Sequence, residues 1–224
     1  MRDHLGVFSM GADLKFSRSV LMLDDCEGTF DWTSSGDGSD FVADHAAVKV
    51  WSGTNAIRLK TRTTGAAHLD TVRIVKVRNF PTSGLVVWRS RINLADVSLV
   101  SGVQLWMSFN DGANAYAPIV TIDSQTPSIT YTNAAGGTST LAGSGYPIED
   151  YEWLEVEVRY DLDGLMWQSV EIAGVVYDLS SVALYATGAV TKRNIAINYR
   201  VYAEQAGIPT VYVDNIYIGA YGDV

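Results

Sequence analysis

The 224-residue sequence predicts an all-β, single-domain antiparallel β-sandwich, on three observations. Apolar and polar side chains alternate with a two-residue period from about residue 19 to 219, and no sustained helical period competes with it. Clusters of Gly, Asn and Asp punctuate that alternation as turns do. No proline-rich or charged run divides the chain, whose five prolines fall mostly at expected strand boundaries. Residues 1–17 lack the alternation and are expected to form an N-terminal arm, leaving 18–224 as the sandwich domain.

The elements follow in order. Strands are expected at 20–25, 47–51, 56–61, 71–77 and 85–94. In 103–109 the apolar set is Val103, Leu105, Met107 and Phe109, and Asn110-Asp111-Gly112 then turns the chain toward a strand at 117–122. A strand at 128–132 precedes 153–160, where Leu154, Val156, Val158 and Tyr160 alternate with Glu155, Glu157 and Arg159. The first set is expected inside and the glutamates outside. Asp161-Leu162-Asp163-Gly164 turns into 165–172, and Ala173-Gly174 turns into 175–179. Residues 180–190 fit a short helix or a loop equally, and strands at 194–202 and 210–218 close the chain. About a dozen short strands with frequent turns are the pattern of a sandwich or barrel.

Composition narrows the function. Apolar residues make up 47% and charged residues 18%, which excludes disorder and coiled coil. A net charge of −9 with no basic run disfavours nucleic acid and anionic lipid as partners. The N-terminal sequence has no continuous apolar stretch of signal-peptide type, and no later window reaches membrane-spanning length. The expectation is synthesis in the cytosol without a signal peptide, no membrane partner, and a virion or extracellular location after assembly. The lone cysteine, Cys26, excludes an internal disulfide and reads as a small buried hydrophobe.

Two stretches resemble jelly-roll and concanavalin A-like sandwiches, including carbohydrate-binding modules and laminin G-like domains. Leu23-Asp24-Asp25-Cys26-Glu27-Gly28-Thr29-Phe30-Asp31-Trp32 is similar to the opening of jelly-roll binding modules, with Cys26 in place of an aromatic residue. Val211-Tyr212-Val213-Asp214-Asn215-Ile216-Tyr217-Ile218 resembles their last strand. Between them, the Trp-led strand at 153, the Asp-bearing turn and the strand ending before Gly174 are similar to the laminin G-like pattern. The resemblance implies that Glu27 and Asp214 meet where the terminal strands meet and bind a structural calcium. A turn-capping Glu27 and an Asp214 bonded to a neighbouring strand explain the same residues without a metal.

No catalytic motif is found. The three histidines and single cysteine lack ligand spacing for zinc, and there is no Gly-x-Ser-x-Gly elbow, phosphate loop or dinucleotide fingerprint. Glu155 and Glu157, about 7 Å apart on one strand face, have a spacing within reach of glycoside hydrolysis. The strand nevertheless departs from the Glu-x-Asp-x-x-Glu pattern of laminarinase-type hydrolases. A binding face is better supported. If 103–109 points its apolar set inward, Gln104, Trp106 and Ser108 point outward, and the same parity turns out Arg89, Arg91, Asn198, Arg200 and Tyr202. Such groups suit a sugar or a protein partner. The expected function is a non-enzymatic structural and adhesive subunit of a larger assembly, such as a virus or phage decoration or tail-associated protein, with the arm as the contact to other subunits. A carbohydrate-binding module is the competing class, and a laminarinase-like hydrolase the third.

Overall fold

A computed structural model describes residues 18–37, 39–78, 83–126, 128–141, 149–150, 152–204 and 207–221, so the expected arm at 1–17 lies outside the described residues. The strands in chain order are β1 (Arg18–Asp24), β2 (Thr33–Gly36), β3 (Val42–Ala46), β4 (Ala56–Lys60), β5 (Thr71–Arg78), β6 (Leu85–Leu94), β7 (Val100–Asp111), β8 (Asn114–Tyr116) and β9 (Ile119–Asp123). They continue with β10 (Ser128–Thr132), β11 (Thr138–Thr140), β12 (Trp153–Asp161), β13 (Met166–Ile172), β14 (Val175–Asp178), β15 (Ala186–Ala189), β16 (Arg193–Ala203) and β17 (Thr210–Tyr221). No helix occurs among the described residues.

The strands form two antiparallel sheets. The first has the order β14-β13-β12-β6-β17-β4-β3, with β1 also paired to β17. The second has the order β11-β10-β9-β7-β16-β5-β2, with β8 joined to β7 and β15 to β8. The sheets face each other through the alternating apolar residues expected from the sequence. Trp88, Ile92, Val156, Val158, Val213 and Ile218 come from the first sheet and Leu105, Met107, Phe109, Ile197, Tyr199 and Ile74 from the second, all within one buried cluster. Each such side chain removed from water contributes on the order of 1.5–3 kcal/mol. Indole hydrogen bonds cross the core: Trp88 Nε1 donates to the Tyr199 hydroxyl at 3.1 Å, and Trp167 Nε1 to the Thr132 carbonyl at 3.1 Å. These bonds satisfy polar atoms that the core would otherwise strand.

β17 organises the region that the opening and closing motifs share. One of its edges runs along β6, while the other pairs first with β4 at Thr210–Val213 and then with β1 from Ile216. The change of partner falls at a bulge between Asp214 and Tyr217, where Asn215 takes φ 49°, a conformation that Asn tolerates better than most residues.

Three expectations require correction. The stretch 47–51 is a bent loop after β3, because the pairing strand ends at Ala46 and the Trp51 N–H is tied to the Asp214 side chain of β17 instead. Residues 180–190 form a turn, a bridge between Met166 and Ala183, and the edge strand β15, with no helix. Glu157 is 3% exposed, not solvent-facing as expected, because Arg89 on β6 and Arg159 on its own strand both close over its carboxylate.

Candidate functional site

The outward face of the second sheet gathers six of the eight residues expected to bind. Antiparallel register sets Asn198 opposite Trp106, Arg200 opposite Gln104 and Ala196 opposite Ser108, so β7 and β16 present one continuous polar strip. β5 adds Arg73, directly across from Arg200. The groups bind one another. Arg73 donates to the Asn198 side-chain oxygen from Nη2 at 2.6 Å and from Nε at 3.2 Å. Arg200 Nη1 donates to the Tyr202 hydroxyl at 3.0 Å, and that hydroxyl donates to Gln104 Oε1 at 2.8 Å. Trp106 Nε1 donates to Ser108 Oγ at 3.2 Å. Burial lowers the Arg73 pKa from its usual value, and the neighbouring Arg200 charge adds to the effect.

Trp106 was expected to point outward among groups that suit a sugar or a protein partner. It is only 7% exposed, since the guanidinium carbons of Arg73 and Arg200 sit 4.7 and 4.9 Å from its ring centroid. The indole therefore supports the two arginines by cation–π attraction and leaves recognition to polar groups. Arg73 was missed by sequence reasoning, although Val72 and Ile74 on either side already implied that it points outward.

Arg89 and Arg91 do not belong to this face. They lie on β6 of the first sheet, on the opposite side of the sandwich. There they are matched by β12: Arg91 Nη2 donates to Glu155 at 2.6 Å, and Arg89 Nε to Glu157 at 2.7 Å. Arg159 Nε also donates to Glu157, at 2.6 Å. Both glutamates are thus held on the sheet by arginines, and Glu157 stands opposite Glu171 of β13 in the register. Arg91 also lies 4.2 Å from the centroid of Trp51, which is 50% exposed and meets Trp153 edge-on at 6.4 Å.

Glu27 and Asp214 converge, from opposite ends of the chain, on the loop that carries Trp51. Asp214 Oδ2 accepts from the backbone N–H of Trp51 at 2.9 Å and of Ser52 at 3.2 Å, and its Oδ1 accepts from Asn215 N–H at 2.7 Å. Glu27 Oε1 accepts from the N–H of Thr54 at 2.6 Å and of Asn55 at 2.9 Å, while Thr54 Oγ1 donates to Oε2. Burial raises the Asp214 pKa, and the charge of Glu27 adds to the rise, whereas donors led by the Thr54 hydroxyl lower that of Glu27. The two carboxylates meet on one loop, beside the Ser52, Thr54 and Asn215 side-chain oxygens, and each already accepts hydrogen bonds from that loop. Gly53 between them has φ 78°, and a Cβ there would run into the Glu27 carboxylate.

Close by, ligand atoms of Asp24, Cys26 and His45 lie within 4.8 Å of one another. Asp24 is already engaged by Lys76, Trp32 and Cys26 N–H, and His45 Nδ1 pairs with the Gly28 carbonyl. Burial pushes the Cys26 thiol pKa far up, with the charges of Asp214 and Asp24 adding, so the group is a neutral packing residue.

No protein-family model matches the chain, and no curated protein sequence matches it. Solved structures do. A cellulose-induced protein, Cip1, superposes with TM-score 0.58 at 17% identity, covering 88% of this chain and 96% of that one. The potassium-bound carbohydrate recognition domain of Emp46p gives TM-score 0.54 at 9% identity, covering 92% and 97%. A carbohydrate esterase of the Shiga toxin-encoding bacteriophage phi24B gives 0.54 at 15% identity, covering 85% and 90%. At these identities the likeness concerns the fold alone, which is that of a jelly-roll, concanavalin A-like β-sandwich.

Proposed function

We propose that the chain is a non-catalytic glycan-binding module whose binding surface is the outward face of the second sheet. The observation that carries the reading is the interlocked set of Gln104, Arg200, Tyr202 and Arg73, which Trp106 and Asn198 hold in place; Asn198 was expected to bind but is 0% exposed, its amide spent on Arg73 and on the Trp106 carbonyl. Rigid amide, guanidinium and hydroxyl groups on a pleated face match the hydroxyl pattern of a sugar and lose little entropy on binding. Glu155 and Glu157, each bonded to an arginine of β6, support the non-catalytic part of the reading. Affinity electrophoresis of the full chain through gels containing soluble polysaccharides tests the reading. Retardation that is lost in Gln104→Ala and Tyr202→Phe supports it. A chain that migrates freely in every polysaccharide gel overturns it.

A structural calcium held by Glu27 and Asp214 belongs to the same proposal as a clamp on the loop, with no part in recognition. The second reading is an adhesive subunit of a virus or phage particle, attached through residues 1–17. The observation that favours it is the likeness to a bacteriophage protein over 90% of that protein's length. Deleting residues 1–17 tests it: a folded chain that no longer joins its particle supports the reading, and unchanged assembly overturns it.

A further inference from the structure

The charges on the two outward faces are handled differently. On the first sheet Arg89 and Arg91 are matched across strands by Glu157 and Glu155. On the second, Arg73 and Arg200 sit directly opposite each other on β5 and β16, and neither enters an ion pair among the described residues. The carboxylates at the ends of this face are already engaged: Asp37 by the N–H and hydroxyl of Thr71, Asp123 by the N–H groups of Gln125 and Thr126. Two adjacent guanidinium groups repel each other, so their pairing is unfavourable unless an anion joins them. The chain carries a net charge of −9, so carboxylates are in excess, yet none of the described ones pairs with either arginine.

The donors that remain free have a direction. Arg73 spends Nε and Nη2 on Asn198, and Arg200 spends Nη1 on Tyr202, which leaves guanidinium N–H groups of both for an outside acceptor. Gln104, whose Oε1 accepts from Tyr202, keeps its NH2 group as a donor beside them. A surface of donors, supported from beneath by an indole, is complementary to an acceptor-only group.

Resting on the glycan-binding reading, we propose that this face selects an acidic glycan, a polymer of sugars bearing carboxylates, and seats one carboxylate between Arg73 and Arg200. Flanking hydroxyls reach Gln104, Ser108 and Tyr202. Arginine suits a carboxylate because its planar fork can donate two parallel hydrogen bonds.

The experiment uses isothermal titration of the full chain with tetragalacturonate, a mannuronate tetrasaccharide and a hyaluronan tetrasaccharide, against cellotetraose, xylotetraose and methyl-esterified tetragalacturonate. At least one acidic probe is expected to bind, and Arg73→Gln or Arg200→Gln is expected to weaken it roughly tenfold or more. Raising the salt concentration should weaken that binding further, while the neutral probes bind poorly and respond to neither change. Circular dichroism melts confirm that the variants fold, and Arg200→Lys, which keeps the charge but loses the fork, should fall between wild type and Arg200→Gln. If neutral probes bind as tightly as acidic ones, or if the glutamine variants bind the acidic probe unchanged, the proposal is overturned and the glycan-binding reading stands. If no probe of either charge binds and no polysaccharide gel retards the chain, both are overturned.

Discussion

Replacing Lys76 with methionine keeps the length of the aliphatic stem and removes the charge at its end. Lys76 is 7% exposed and points inward from β5, where its ammonium lies 2.9 Å from Asp24 and 2.6 Å from Asp31, with the Trp32 ring centroid 5.1 Å away. The two acids differ: the Asp24 side chain is 13% exposed and that of Asp31 is 52%. Breaking a buried ion pair by removing one partner costs about 3–5 kcal/mol, whereas a half-exposed pair contributes less than about 1 kcal/mol. Asp24 retains donors from Trp32 and Cys26, which places the loss near the lower end, about 3 kcal/mol, or a fall in Tm of about 6–12 °C for a domain of this size. The pH dependence carries a sign. Burial pushes the Asp24 pKa upward, but Lys76, Trp32 and Cys26 outweigh it and hold the folded value below the usual 3.8. The carboxylate therefore stabilises the fold above that pH, and the contribution is lost as pH falls through the folded pKa. Thermal melts of both proteins by circular dichroism between pH 7 and pH 3 check the argument. The gap should be widest near neutrality and should narrow in acid. A variant within about 1 kcal/mol of wild type at pH 7, or a gap that ignores pH, refutes the claim that Lys76 neutralises a buried charge.

Other perturbations follow from the same structure. Tyr199→Phe removes the acceptor of Trp88 Nε1 in the middle of the core, so urea unfolding should show a loss of about 1–3 kcal/mol with an unchanged m-value; no loss would mean the indole finds another partner. Gly53→Ala places a Cβ at a left-handed position against Glu27 and should lower Tm by several degrees, whereas the same change at Gly28, where a Cβ meets nothing within 4 Å, should cost far less. Added calcium should raise Tm, and Asp214→Asn should abolish the rise; a wild-type melt that ignores both calcium and chelator would leave the loop pinned by carboxylates alone.

How much of this was legible in the sequence depends on the range of the interaction that decides each feature. Alternation is local, and it correctly gave both the inward set Val103, Leu105, Met107, Phe109 and the outward parity of Gln104 and Arg200, because a one-residue slip would have turned every apolar side chain to water; it did not reveal that Asn198, of the same parity, is covered. Edge strands such as β11 and β15 carry no inward apolar set, since they pair at the rim and bury little, so no alternation marks them. The stretch Ala47-Val48-Lys49-Val50-Trp51 alternates without being a strand, and its Val48 is 73% exposed. Its neighbour Val42–Ala46, a true strand, was hidden by Asp44, which pairs with Arg58, and by His45, whose Nδ1 pairs with the Gly28 carbonyl. Sheet membership is not local at all. Arg89 and Arg200 both point outward by the same parity, yet one strand was claimed by β12 and β17 and the other by β7 and β5, so the two residues ended on opposite faces. What separates a matched arginine from an unmatched one is the strand that happens to lie beside it. For that reason a residue list placed six residues on this face, while the pairing of Arg73 with Arg200, neither in an ion pair among the described residues, emerged only with the register.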